Sequence, residues 1–139
     1  MAGQQKAELV RILIQKKDLL GKMLMMTDNI RTELQRDRIE AFAEAIGVRQ
    51  KLIAQIDTLT KAEQAFGPGD DIEVMSIKKE IRAIVAQTLK QDEENTALAQ
   101  QKLQMYKDQI RHLNQTKKSV GGYTRSMNNE DSYFVDANK

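Results

Sequence analysis

The sequence contains no cysteine and no tryptophan, and only one proline in 139 residues. The lack of cysteine excludes disulfide bonds and thiolate metal sites, so the chain needs no oxidising compartment. Aromatic residues make up 4% of the chain, and its β-branched residues never alternate with polar ones as a half-buried strand requires. Abundant Gln, Lys, Glu, Leu and Ala are instead typical of long helices. The sequence therefore predicts an all-α protein.

The charge is nearly balanced, with 22 Lys and Arg against 20 Asp and Glu. This balance argues against a nucleic-acid partner and against binding to an anionic membrane, because both need a clustered basic face. No apolar run approaches the ~20 residues that span a bilayer. Residues 1–6 lack the charged-then-apolar layout of a secretory signal. We expect a cytoplasmic protein that is not inserted in a membrane.

Three helices are predicted, over about 6–34, 38–66 and 72–119. The first helix carries two neighbouring apolar stripes, which make a face wider than the seam of a two-stranded coiled coil. It should therefore contact two other helices at once. We expect residues 1–120 to form an elongated antiparallel three-helix bundle or coiled coil with a long third helix.

The breaks between the predicted helices have different signals. Asp37 followed by Glu40 resembles a capping box and predicts that the second helix starts there. Residues 67–69, Gly-Pro-Gly, form the clearest loop. Arg49 falls on the apolar seam of the second helix, where its aliphatic stem is expected to cover apolar surface.

The third helix is too long for its partners. At a rise of ~1.5 Å per residue it would span roughly 70 Å, against roughly 45 Å for each of the others. Either it breaks at the all-polar segment 91–95, near Asp92, or its C-terminal half projects with an uncovered apolar stripe. Such a stripe would cost stability unless another chain covered it. The residues predicted to bind another chain there are Leu103, Tyr106, Ile110, Leu113 and Val120; the alternative is that they are ordinary core.

The last 19 residues, 121–139, are predicted to form a flexible, irregular tail that starts with two glycines. Three of the six aromatic residues nevertheless fall in it, namely Tyr123, Tyr133 and Phe134. A purely solvating tail has little use for aromatic side chains. We expect this tail to dock on its own bundle or on another protein.

No arrangement of residues suggests catalysis. His112 is the only histidine, and a metal site made from it and Asp108 would be a common chance spacing. The acid pairs at 93–94 and 70–71 lack apolar surroundings that would raise a pKa for general acid work. The Gly-Pro-Gly loop lacks the Lys and Ser/Thr of a phosphate loop. We predict no catalytic residue, no cofactor and no metal, and that the protein is not an enzyme.

The layout as a whole resembles the flagellar export chaperones of the FlgN type, and overlaps the related FliT type. The resemblance covers essentially the whole chain, and its ending is the most specific part. The residues that carry it are 36–40, 49–53, Asn95, 117–123 and 131–136.

The resemblance implies a non-catalytic chaperone that binds the amphipathic C-terminal helices of hook-associated or filament-cap proteins and delivers them to the export gate. FlgN-like members are associated with the two hook-filament junction proteins, and FliT-like members with the cap protein. The family also uses a tyrosine near the chain's end for gate contact. Tyr123 is the best positional match, with Tyr133 as the alternative and Phe134 beside it.

Other functions remain open at this point. The alternatives are a structural coiled-coil protein that forms a homodimer through its third helix, and a component of the secretion apparatus without a separate client. The mass of the protein in solution separates the first of these from a chaperone, because a self-associating coiled coil forms a stable dimer.

Overall fold

A computed structural model of the chain describes residues 3–69 and 71–120, with side chains as far as residue 117. It contains three α-helices, α1 over Gly3–Gln35, α2 over Ile39–Gln64 and α3 over Ile72–Val120. The all-α prediction is confirmed. The helix bounds agree with the predicted ones to within three residues.

The chain divides into two units, Met1–Leu98 and Ala99–Lys139, with the boundary inside α3. The first unit is a bundle in which successive helices are antiparallel. Lys16 of α1 lies 3.1 Å from Glu63 near the end of α2, as an antiparallel pair requires.

α1 and α3 run parallel in this bundle. Lys17 Nζ lies 2.6 Å from Glu80 Oε2, and 14 residues further along each helix Arg31 Nη1 lies 2.7 Å from Glu94 Oε2. The up-down-up order follows from the two short connections between the helices.

The core of the first unit draws on all three helices. α1 supplies its widest contribution because its two apolar stripes face α2 and α3 together, as predicted. Each leucine fully buried here is stabilising by about 1.5–3 kcal/mol relative to exposure. The core cluster consists of Leu9, Leu13, Leu20, Ile56, Val74 and Ile81.

The turn between α1 and α2 corrects the capping-box prediction. α2 begins at Ile39 with Arg38 in the N-cap position, and Arg38 makes no side-chain capping bond. Asp37 lies one residue earlier with a φ of 57°. Its N–H donates to Leu34 O at 3.2 Å, and Arg38 N–H donates to Glu33 O at 2.9 Å. These two bonds form a Schellman motif, so Asp37 ends α1 rather than starting α2.

The loop before α3 depends on close packing. A Cβ at Gly69 would lie 3.1 Å from Val74 Cγ1, and Val74 is fully buried. Asp71 then caps α3, since its Oδ1 accepts hydrogen bonds from Glu73 N–H at 2.9 Å and Val74 N–H at 3.4 Å. The Gly-Pro-Gly loop prediction is confirmed, and its last glycine lets the loop approach the core.

Candidate protein-binding surface

The polar segment at 91–95 does not break α3, which is one helix over Ile72–Val120. Its polar side chains are used for contacts with the other two helices. Asn95 Nδ2 donates to Thr27 O of α1 at 3.0 Å, and Arg49 Nη2 of α2 donates to Asp92 Oδ2 at 2.6 Å. Of the two alternatives for the third helix, the predicted break near Asp92 is therefore wrong.

Arg49 lies on the seam of α2, as its position in the apolar pattern predicts. Its side chain lines a cavity of about 180 Å³ together with Leu20 and Ile53, and its guanidinium meets Asp92 there. The sequence shows an arginine among apolar residues and a polar segment 43 residues later. Only the packing shows that one is the partner of the other.

The second unit presents an exposed apolar surface. We define the α3 stripe as Ala99, Leu103, Tyr106, Ile110 and Leu113. Among residues 99–117 none is buried. Leu103 and Leu113 are 54% and 58% exposed, and Tyr106 and Ile110 are each 37% exposed.

The spacing of the α3 stripe is 4-3-4-3, the heptad spacing that places side chains along one seam of a helix. Each Å² of apolar surface that stays exposed to water loses about 25 cal/mol of the stabilisation that burial would give. Other exposed apolar side chains, such as Met25 and Ile72, do not belong to this seam. The α3 stripe is a continuous apolar seam suited to packing against another helix.

Four of the residues predicted to bind a client, Leu103, Tyr106, Ile110 and Leu113, lie on this one seam. None of them is part of the buried core of the described chain. The side chain of Val120 lies beyond residue 117, the last residue whose side chain the structure describes. The same is true of the three residues predicted for gate contact: Tyr123, Tyr133 and Phe134.

Charged residues surround the α3 stripe unevenly. Residues 99–117 contain four basic side chains and one acidic one. The acidic residue, Asp108, accepts a hydrogen bond from Gln104 Nε2 at 3.0 Å. The basic residues are Lys102, Lys107, Arg111 and Lys117.

A second apolar feature was not anticipated from the sequence. An open groove of about 460 Å³ lies between α1 and α2 and is lined by the half-buried Leu19 and Leu59 beside polar side chains. Both leucines have the helical spacing expected of core positions. No signal in the sequence distinguishes them from buried residues such as Leu20, because the distinction depends on how far α3 covers the α1–α2 pair.

Neither a metal site nor a membrane-spanning helix is found among the described residues. In the part of the chain that the structure describes, no three His, Asp or Glu side chains come close enough to hold a metal. His112 is exposed, and its carbonyl accepts a hydrogen bond from Thr116 Oγ1 at 3.0 Å. No helix in the described ranges combines the length and the apolar character needed to cross a membrane.

Comparisons with protein-family models, curated proteins and solved structures give no match to this chain.

Proposed function

We propose that this protein is a cytoplasmic chaperone of flagellar type III export, and that it catalyses no reaction. Its clients are the amphipathic C-terminal helices of hook-associated or filament-cap proteins. The chaperone keeps such a helix from assembling prematurely and delivers it to the export gate. The sequence resemblance suggests this role, and the exposed α3 stripe is the observation that best supports it.

The physical requirement for this role is an apolar helical face that is open before the client arrives. An unassembled filament-type protein has an apolar helix whose partners are missing, and this helix associates with any complementary surface. Covering it takes apolar residues at i, i+3, i+4 and i+7 on the chaperone. The α3 stripe repeats at alternating intervals of four and three residues, which keeps its side chains on one such face, and its largest side chains are between 37% and 58% exposed.

Alanine substitution of Leu103 and Ile110 tests the proposal. The double variant Leu103→Ala, Ile110→Ala should bind the C-terminal segments of hook-associated or cap proteins at least about tenfold more weakly, because buried apolar contacts at the centre of an interface carry much of its binding energy. Binding is measured by isothermal titration with the purified segments. Circular dichroism should show nearly unchanged helicity, since neither residue is buried in the free chain.

The matched control is Met75→Ala with Leu89→Ala, which changes two other α3 residues that are 55% and 58% exposed and lie outside the stripe. This control should bind the segments as the wild type does. A stripe variant that loses its helical fold would mean that Leu103 and Ile110 are core residues. Failure of every hook-associated and cap segment to bind the wild type would refute the chaperone function.

A second candidate function is a self-associating structural coiled coil, which the heptad spacing of the α3 stripe also favours. Sedimentation equilibrium separates the two. A monomer at micromolar concentration would favour the chaperone, whereas a stable dimer over the whole concentration range would favour the structural coiled coil. In the second case the Leu103→Ala, Ile110→Ala variant would be monomeric.

A further inference from the structure

The charge around the α3 stripe indicates what kind of helix covers it. Residues 99–117 carry four basic groups and one acidic group, a formal charge of +3, whereas the whole chain carries +2. The positive charge of the protein is thus concentrated on the segment that exposes the apolar seam.

Two of the four basic groups lie along the edges of the seam. Successive residues of an α-helix are rotated by about 100°, so Lys102 and Lys107 border the α3 stripe on opposite sides. Lys117 continues the line of the stripe four residues after Leu113. Asp108 lies on the opposite side of the helix, about 180° from the centre of the stripe by the same rotation.

The geometry points to an acidic amphipathic helix as the occupant of the α3 stripe: one with apolar residues at heptad spacing and Glu or Asp at the positions that flank them. This inference rests on the proposed function, because it specifies the chemistry of the client helix. Flanking charges in paired helices choose the partner and its orientation, while the apolar seam supplies most of the affinity.

A second copy of this chain fits the surface less well. In a parallel, in-register pair, residue i on one edge of the seam faces residue i+5 of the other helix. Lys102 would then face the second copy's Lys107. An antiparallel pair also brings two segments of +3 charge together. Charge complementarity therefore favours a different chain of opposite charge.

A membrane surface is also a poorer fit than a helix. Helices that lie in a bilayer interface present a broad apolar face, whereas the α3 stripe is a single heptad seam. The chain contains no tryptophan, which such helices commonly use. Phosphate groups of a nucleic acid would pair with the lysines but would leave the apolar seam uncovered.

Two designed 21-residue peptides test the inference with the full-length protein. Both carry leucine at every seam position; one has Glu and the other has Lys at the flanking positions. At low salt the acidic peptide should bind about tenfold or more tightly than the basic one, and the ratio should shrink at high salt, because several exposed ion pairs are each worth a fraction of a kcal/mol and are screened by ions. Fluorescence anisotropy of labelled peptides gives both dissociation constants.

Charge reversal assigns the preference to the named lysines. Lys102→Glu with Lys107→Glu should invert the preference, so that the basic peptide binds more tightly. The control Lys51→Glu with Lys79→Glu produces the same change in net charge at two exposed positions outside the second unit, and it should leave the preference unchanged.

Several results would overturn the inference. Equal affinity for the two peptides would show that the flanking charges do not select the partner. A stable dimer abolished by Leu103→Ala with Ile110→Ala would identify a second copy as the occupant. Binding to phosphatidylcholine–phosphatidylserine vesicles but to neither peptide would identify a membrane. Peptide binding only after neutralisation of the three acids among residues 130–136 would identify the chain's own C-terminal segment.

The failure of this inference can be distinguished from the failure of the proposed function. If the acidic peptide binds but no hook-associated or cap segment does, the flagellar function fails and the charge preference stands. If those segments bind and the reversal at Lys102 and Lys107 leaves their affinity unchanged, the flagellar function stands and the charge preference fails.

Discussion

At the scale of single residues, the turn after α1 depends on an unusual backbone angle. Asp37 has a φ of 57°, in the left-handed region that glycine adopts readily and that asparagine and aspartate adopt only occasionally. The Schellman hydrogen bonds of its own N–H and that of Arg38 hold it there. The chain therefore carries a local conformational cost at a position where glycine would have none.

Replacing Asp37 with glycine should stabilise the protein. Asp37→Gly removes the left-handed strain and should raise the free energy of unfolding by about 0.5–1 kcal/mol, measured by urea denaturation. Asp57→Gly is the matched control, because Asp57 is an exposed residue inside α2; there the same substitution should lower stability by about 0.3 kcal/mol, the difference in helix propensity between the two residues. A destabilised Asp37→Gly variant would mean that the interactions of the Asp37 side chain are worth more than the left-handed backbone costs.

Asn95 is a buried polar residue whose role depends on the direction of one hydrogen bond. Its Nδ2 donates to Thr27 O at 3.0 Å, while its Oδ1 is buried without a hydrogen bond from the described residues. Asn95→Asp replaces the donor with a second acceptor that faces a carbonyl oxygen. It should lower the free energy of unfolding at pH 7 by about 2–4 kcal/mol.

The same variant should recover stability in acid. Burial raises the pKa of a carboxyl group above its unfolded value, so the folded state holds the proton more strongly, and the loss should diminish as the pH falls from 7 towards 4. Urea midpoints across this range give the measurement. Asn29→Asp, an exposed position in α1, should change little at any of these pH values; a similar loss there would mean that burial of Asn95 is not the cause.

At the scale of secondary-structure elements, the start of α3 combines a helix cap with an ion pair. One carboxylate oxygen of Asp71 caps α3, and the other lies 3.0 Å from Lys6 Nζ of α1. The hydrogen bond with Lys6 is the main cause that lowers the pKa of Asp71 and raises the pKa of Lys6. Two helices are thus joined at the point where one of them begins.

The stabilisation due to this pair should depend on pH in a defined window. A lowered folded pKa at Asp71 means that the contribution is present above the unfolded pKa of about 3.9 and is lost as the pH falls through the folded value. The raised pKa of Lys6 means that its contribution is lost only at alkaline pH, above about 10.

The variant Asp71→Asn keeps a capping oxygen but removes the titrating charge. Its denaturation midpoint should lie below that of the wild type by a constant amount between about pH 5 and 9, and the two should converge below about pH 4. A difference that persists unchanged in acid would mean that the loss comes from the cap and not from the ion pair with Lys6.

At the scale of the whole molecule, burial divides α3 into two parts. Val74, Ile81, Thr88 and Asn95 are buried in the first unit, at seven-residue intervals. From Ala99 to Lys117 no residue is buried. One helix therefore contains a segment held by tertiary contacts and a segment whose stability depends on its own hydrogen bonds.

Amide hydrogen exchange should follow this division. Amides of α3 between residues 77 and 95 should exchange at rates that approach those of global unfolding, because local opening there breaks the core. Amides between residues 103 and 115 should exchange orders of magnitude faster, as expected for a helix without buried side chains. Mass spectrometry of peptic fragments gives the comparison, and equal protection of the two segments would mean that something covers the α3 stripe in solution.

The sequence by itself determined the helical class, the three helices, the Gly-Pro-Gly loop and the 4-3 seam from Leu103 to Leu113. These features depend on propensity and periodicity, which act over a few neighbouring residues. The apolar seam, the lysines beside it and Asp108 on the opposite side can all be read from the same local repeat.

The tertiary structure alone decided which positions on those repeats are buried. Leu20 and Leu103 have equivalent spacing, yet one is 3% exposed and the other 54%, because burial depends on neighbours that are distant in the chain. The polar residues Asp92 and Asn95 suggested a break until their partners on α2 and α1 were placed. Aspartate likewise occurs both at the start and at the end of helices, and only the backbone hydrogen bonds at Asp37 show that it ends α1.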